Sequence, residues 1–158
     1  MVRHLLAFLA LAGAALWQPV QAPAQQPRPE FETGQVTIET QHGGSFTFDV
    51  ELALTRGQQT YGLMFVEDMP QDAGMLFIFP QEGPRSFWMR NTLIPLDMIF
   101  IRGDGTIANV VQRAEPQTDT PRRSDGPVAA VLEVNGGLTA LLGIAAGDRV
   151  ILENAEEE

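Results

Sequence analysis

The sequence predicts a single, mainly β domain: an antiparallel sandwich or barrel-like sheet with two short helices. Three observations predict it. Short strand-like runs recur with turn residues between them about every 8–12 residues, the spacing of all-β domains. There is no βαβ rhythm along the chain and no glycine-rich phosphate loop. The chain of 158 residues is 44% hydrophobic with nine Phe and two Trp, enough for one packed core.

Residues 1–24 read as a secretory signal: Arg3 and His4 begin it, Leu5 to Leu16 form an apolar run, and Ala22-Pro23-Ala24 supplies small residues for cleavage after Ala24. That run is shorter than the ~20 residues a membrane span needs, so no stable membrane anchor is expected after cleavage. The expected location is periplasmic or secreted. Residues 25–34, with Pro27 and Pro29, read as a disordered spacer, and 154–158 as a solvated acidic tail.

Between them, residues 35–153 form the domain. Gln35 to Thr40 alternates polar and apolar, His42-Gly43-Gly44-Ser45 turns, and Phe46, Phe48 and Val50 resume the alternation, which predicts a hairpin. Thr55-Arg56-Gly57-Gln58 matches a capping box and starts a helix carrying Tyr61, Met64 and Phe65. Gly74 to Phe79 is apolar on both faces and reads as a doubly buried strand. Strand-like runs come next at Ser86 to Thr92 and at Ile94 to Ile101, broken at Pro95. Another spans Thr106 to Val111 after the Gly103-Asp104-Gly105 turn. Gln112 to Pro127 is polar, contains three Pro, and reads as a long flap. A strand at Ala129 to Val134, a helix at Leu138 to Leu142 stopped by Gly143, and a strand at Arg149 to Leu152 complete the domain.

Composition removes several function classes. All ten basic residues are Arg, against 20 acidic ones, for a formal net charge of −10. The only adjacent basic pair, Arg122-Arg123, has Asp119 and Asp125 beside it, so no basic stripe offers itself to nucleic acid. Without a cysteine there is no disulfide, thiolate metal site, thiol nucleophile or lipid-attachment point. His42 is the one histidine beyond the signal, too few for a zinc site or a Ser–His–Asp relay. No cofactor is expected.

Several segments together resemble the "domain of unknown function 192" family of small bacterial and archaeal proteins. They are Tyr61-Gly62-Leu63-Met64, Gly74 to Phe79, Phe87-Trp88-Met89-Arg90-Asn91-Thr92, Ile94 to Ile101, Val131-Leu132-Glu133-Val134, and Gly143-Ile144 with Gly147-Asp148. Phe65-Val66 departs from the pattern, standing where a basic residue is expected. The resemblance covers residues 36–152 and implies a single β sandwich-like domain, often exported. It implies no activity.

The densest chemistry lies between Phe87 and Asp97. As a strand, this run puts Phe87, Met89 and Asn91 on one face and Trp88, Arg90 and Thr92 on the other. Asp97 shares a face with Ile99 and Ile101 and needs a strong partner there. Arg90 is the first candidate, then the Asn91 amide or backbone N–H groups. Trp88, Arg90, Asn91, Asp97 and Glu133 are the candidate binding residues, for a small polar ligand or an envelope component, roofed by the 112–127 flap. This predicts a periplasmic binding or accessory module rather than an enzyme. One alternative is a carboxylate-dependent hydrolase of envelope glycans, pairing Asp97 with Glu133 or Glu115. Another is Cu(I) binding through Met64, Met69, Met75, Met89 and Met98, although none has tight ligand spacing and Met75, Met89 and Met98 read as core.

Overall fold

The computed structural model describes residues 27–153. The segments expected to be an export signal, 1–24, and an acidic tail, 154–158, lie outside the described residues. Among the described residues there are nine strands and two helices: β1 (Glu32–Glu39), β2 (Ser45–Ala53), α1 (Arg56–Tyr61), β3 (Ala73–Gly83), β4 (Ser86–Phe87), β5 (Leu96–Ile101), β6 (Ile107–Ala114), β7 (Arg122–Arg123), β8 (Val128–Asn135), α2 (Leu138–Leu142) and β9 (Arg149–Glu153). Seven strands form one sheet in the order β6-β5-β8-β3-β2-β1-β9, and β4 pairs with β7 in a separate ribbon. The large sheet curls into a half-barrel. Its edge strands touch at one end, where Thr106 bridges Arg149 and the Ile107 N–H donates to the Asp148 carbonyl at 2.9 Å.

Local chemistry accounts for the first elements. Alternation in β1 and β2 is satisfied by an antiparallel hairpin whose last pair is Glu39 with Ser45. β1 begins at Glu32, inside the expected spacer, where Phe31 packs on the core and Arg28 bonds Glu51 at 3.0 Å. α1 opens on the anticipated capping box, with the Gln58 N–H donating to Thr55 Oγ1 and the Thr55 N–H donating to Gln58 Oε1. It stops at Gly62, whose φ of 51° turns the chain out of the helix.

Two expectations are corrected. β2 and β3 run parallel, joined through α1, so one βαβ crossover sits in an otherwise antiparallel sheet. The run Ser86 to Thr92 is a strand only at Ser86–Phe87; beyond it the chain turns, with Asn91 at φ 56°. That backbone breaks the expected face alternation, leaving Asn91 exposed and Thr92 buried.

The central strands are buried on both faces, which explains their unbroken apolar sequence. On one face Phe48, Val50, Leu76, Ile99, Ile101, Leu132 and Val134 pack under Leu138 of α2 and Ile144. On the other, Met75, Phe77, Met98, Phe100 and Val131 lie under Leu63, Met69, Phe87 and Met89. Every residue of β5 is buried. The second layer of cover, drawn from residues 63–69 and 84–94, leaves a cleft between itself, α1 and the sheet.

Candidate functional site

Phe87 pins the covering segment to the sheet. Its ring meets Phe77, Phe100 and Phe79 edge-on at centroid distances of 5.0, 6.1 and 6.5 Å. The flap is strapped over residues 89–92. The Met89 N–H donates to the Thr118 carbonyl at 2.8 Å, the Gln117 N–H to the Thr92 carbonyl at 3.1 Å, and Arg90 forks onto Asp119 with two bonds of 2.9 Å. The cleft beneath this cover has a volume of about 480 Å³. Tyr61, Phe77, Phe79, Phe87 and Trp88 contribute to its walls, Asp119 and Pro121 come from the flap, and Glu133 of β8 belongs to its lining.

Glu133 is the unusual group. It stands between Met75 of β3 and Met98 of β5 in the cross-strand register, on a face that is otherwise apolar. Only 4% of the residue is exposed, and its carboxyl makes no hydrogen bond or ion pair among the described residues. Burial disfavours the charged form, so its pKa is pushed up to about 8 and the carboxyl is protonated at neutral pH. A neutral acid of this kind both donates and accepts a hydrogen bond.

The remaining charges around the cleft are Arg56 on α1, Arg85 and Arg90 on the covering segment, and Asp119 on the flap. The exposed Arg90–Asp119 pair holds the Asp119 carboxyl below the usual range through their hydrogen bond. Arg90 also stacks on Trp88, 4.2 Å from the ring centroid, and Arg85 lies 3.9 Å over Phe79.

Of the five candidate binding residues, Trp88, Arg90 and Glu133 meet at this cleft. Asn91 does not: its amide contacts Met64 Sδ at 3.8 Å, while its carbonyl accepts from the Phe65 N–H. Asp97 does not either, and Arg90 is not its partner. It is fully buried on the opposite face of β5, where it accepts from the main-chain N–H groups of Arg113, Gly137 and Thr139 and from Thr139 Oγ1, at 2.6–2.9 Å. Four donors saturate both oxygens and tie α2 to β5 and β6. Asp97 and Glu133 lie on opposite faces of the sheet, so they form no catalytic carboxylate pair.

The methionines do not gather at a surface. Met75, Met89 and Met98 are fully enclosed in the core, as their apolar runs anticipate. Among the described residues no group of three or more His, Asp or Glu could hold a metal ion. A larger groove of about 880 Å³ lies beside β1, where Arg28 pairs with Glu51 and Gln35 with Asp49.

Sequence reasoning missed Arg56, Tyr61, Arg85 and the Phe77–Phe87 wall. A capping-box helix continuing into Tyr61-Gly62-Leu63 carried the only signal. It marked α1 without showing which strands it would face.

Together these features define a small half-barrel domain with an aromatic-walled cleft built over a buried acid. The chain belongs to the domain of unknown function 192 (DUF192) family, described as an uncharacterized ACR, whose model matches residues 37–152. A crystal structure from Sinorhizobium meliloti 1021, described as a candidate transcription regulator, is 39% identical with a TM-score of 0.77. That match covers 80% of this chain and 98% of the other. A protein of unknown function from Novosphingobium aromaticivorans DSM 12444 is 40% identical with a TM-score of 0.75, covering 89% and 99%. No curated protein matches the chain.

Proposed function

We propose that the domain is a non-enzymatic binding module for a small organic ligand, and that the Glu133 cleft is its site. The observation that supports this is the carboxyl of Glu133, without a protein partner among the described residues, on an otherwise apolar face and open only to the cleft it lines. A buried polar group without a partner costs about 1–3 kcal/mol, and a ligand that bonds it recovers that cost. The volume lies within the ordinary range for small-molecule sites, about 300–1,000 Å³. Reading residues 1–24 as an export signal puts this module in the periplasm or outside the cell. The description carried by the S. meliloti relative finds no support in charge or shape here. The chain is acidic, and α1 and α2 span six and five residues, too short for a recognition helix.

The test is thermal denaturation of the full chain against a panel of small neutral, anionic and cationic compounds, since a ligand specific to the folded state raises the melting temperature. Ser86 is exposed at the rim. The variant Ser86→Trp should fill the cleft, keep the fold and abolish any shift. A panel without a single saturable shift, or shifts equal in the variant, overturns the proposal.

A further inference from the structure

The charges around the cleft bear on the chemistry of its ligand, given that the cleft is a binding site. We infer that it takes an aromatic organic anion of the aryl-carboxylate type, whose acceptor oxygens meet the Glu133 O–H and the rim guanidinium groups. Three observations converge on that class.

The first is charge. Within a chain of net −10, the cleft gathers Arg56, Arg85 and Arg90 against Asp119 alone, with Glu133 neutral. Arg90 is committed to Asp119, whereas Arg56 and Arg85 form no ion pair among the described residues. With Glu133 neutral, three guanidinium groups against one carboxylate give the cleft a local positive excess that favours an anion.

The second is donor excess. Arg85 spends one Nη on the Gln81 carbonyl, and its Nε is the one solvent-inaccessible side-chain nitrogen or oxygen among the described residues without a hydrogen-bond partner. Glu133 adds an O–H with no acceptor. A carboxylate, with about four lone-pair sites, suits unpaired donors, while an ammonium ligand would add to them. The third is shape: flat walls from Tyr61, Phe77, Phe87 and Trp88 favour an aromatic body.

Binding of such an anion should respond to pH. The groups facing Glu133 across the cleft are Arg56, Tyr61, Arg85, Arg90 and Asp119; its strand neighbours Met75 and Met98 do not titrate. Ionising Glu133 removes its donor and adds a negative charge, so an anion prefers the protonated form and a cation the ionised one.

The experiment is isothermal titration of the full chain with 3-phenylpropionate and with benzyltrimethylammonium at pH 6.5 and pH 9. The anion should bind at pH 6.5 and about tenfold more weakly at pH 9, the fraction of Glu133 that stays protonated. Glu133→Gln, which cannot ionise, should lose that pH dependence, and Arg85→Gln should weaken binding several-fold at both pH values. Preference for the cation, or an anion affinity that rises with pH, overturns the anion assignment while leaving the cleft as a site. Panel compounds that bind the wild type but not Ser86→Trp, none of them anionic, do the same. A panel with no ligand at all removes both readings. Should Glu133→Gln fail to fold, the wild-type pH comparison and Arg85→Gln decide between these outcomes.

Discussion

Glu133 should make the domain lose stability as pH rises. Its pKa in the fold is about 8, against 4.5 for the free side chain. Between those values the folded state holds a proton that the unfolded chain has released. Stability therefore falls with increasing pH, at about 1.4 kcal/mol per unit for one proton. The contribution is flat below about pH 4.5, and the loss reaches about 3 kcal/mol at pH 7 and about 5 kcal/mol by pH 9. Most domains have only ~5–15 kcal/mol in total, so the effect is large. Glu133→Gln keeps size and hydrogen-bonding capacity but does not titrate. Urea denaturation of both proteins at intervals from pH 5 to pH 9 should show the difference, variant minus wild type, growing steadily to pH 8 and then levelling. Parallel stability profiles would refute the reasoning, since they would mean that the carboxyl ionises in the fold as it does in water.

Other residues should respond according to what they hold. Asp97→Ala strands the buried N–H groups of Arg113, Gly137 and Thr139 and should cost about 3–5 kcal/mol in urea titrations, with Thr139→Val costing about 1–2 because one donor is lost. Gly74→Ala would place a Cβ 2.6 Å from the Glu133 carbonyl oxygen, a backbone atom that cannot swing aside, and should destabilise by about 1–3 kcal/mol. Phe87→Ala removes the ring that joins cover to sheet; a loss of about 3 kcal/mol is expected, together with weaker ligand binding in the same titrations. Asp119→Asn, at an exposed ion pair, should leave the urea midpoint unchanged.

Local signals carried the parts of this fold that depend on neighbours in sequence. The Thr55/Gln58 capping box, the Glu39–Ser45 hairpin end and the Gly143 stop of α2 each arise from steric and hydrogen-bonding rules acting within about four residues. The need of Asp97 for a strong partner was also legible, because a carboxylate among Ile99 and Ile101 must be desolvated. Its partners were not. They come from β6 and the start of α2 as main-chain N–H groups, which every non-proline residue possesses and no sequence pattern marks.

Length, apolar patterning, turn residues and the absence of cysteine determined by themselves a single mainly β domain with a doubly buried central layer, because those properties act along the chain. Tertiary structure alone decided that Glu133 and not Asp97 faces a cleft, and that α1, the flap and β8 meet there. Both acids lie on fully buried stretches of neighbouring strands. Which one is saturated and which is left bare depends on donors arriving from elsewhere in the chain, and hydrophobicity, being without direction, does not specify their arrival.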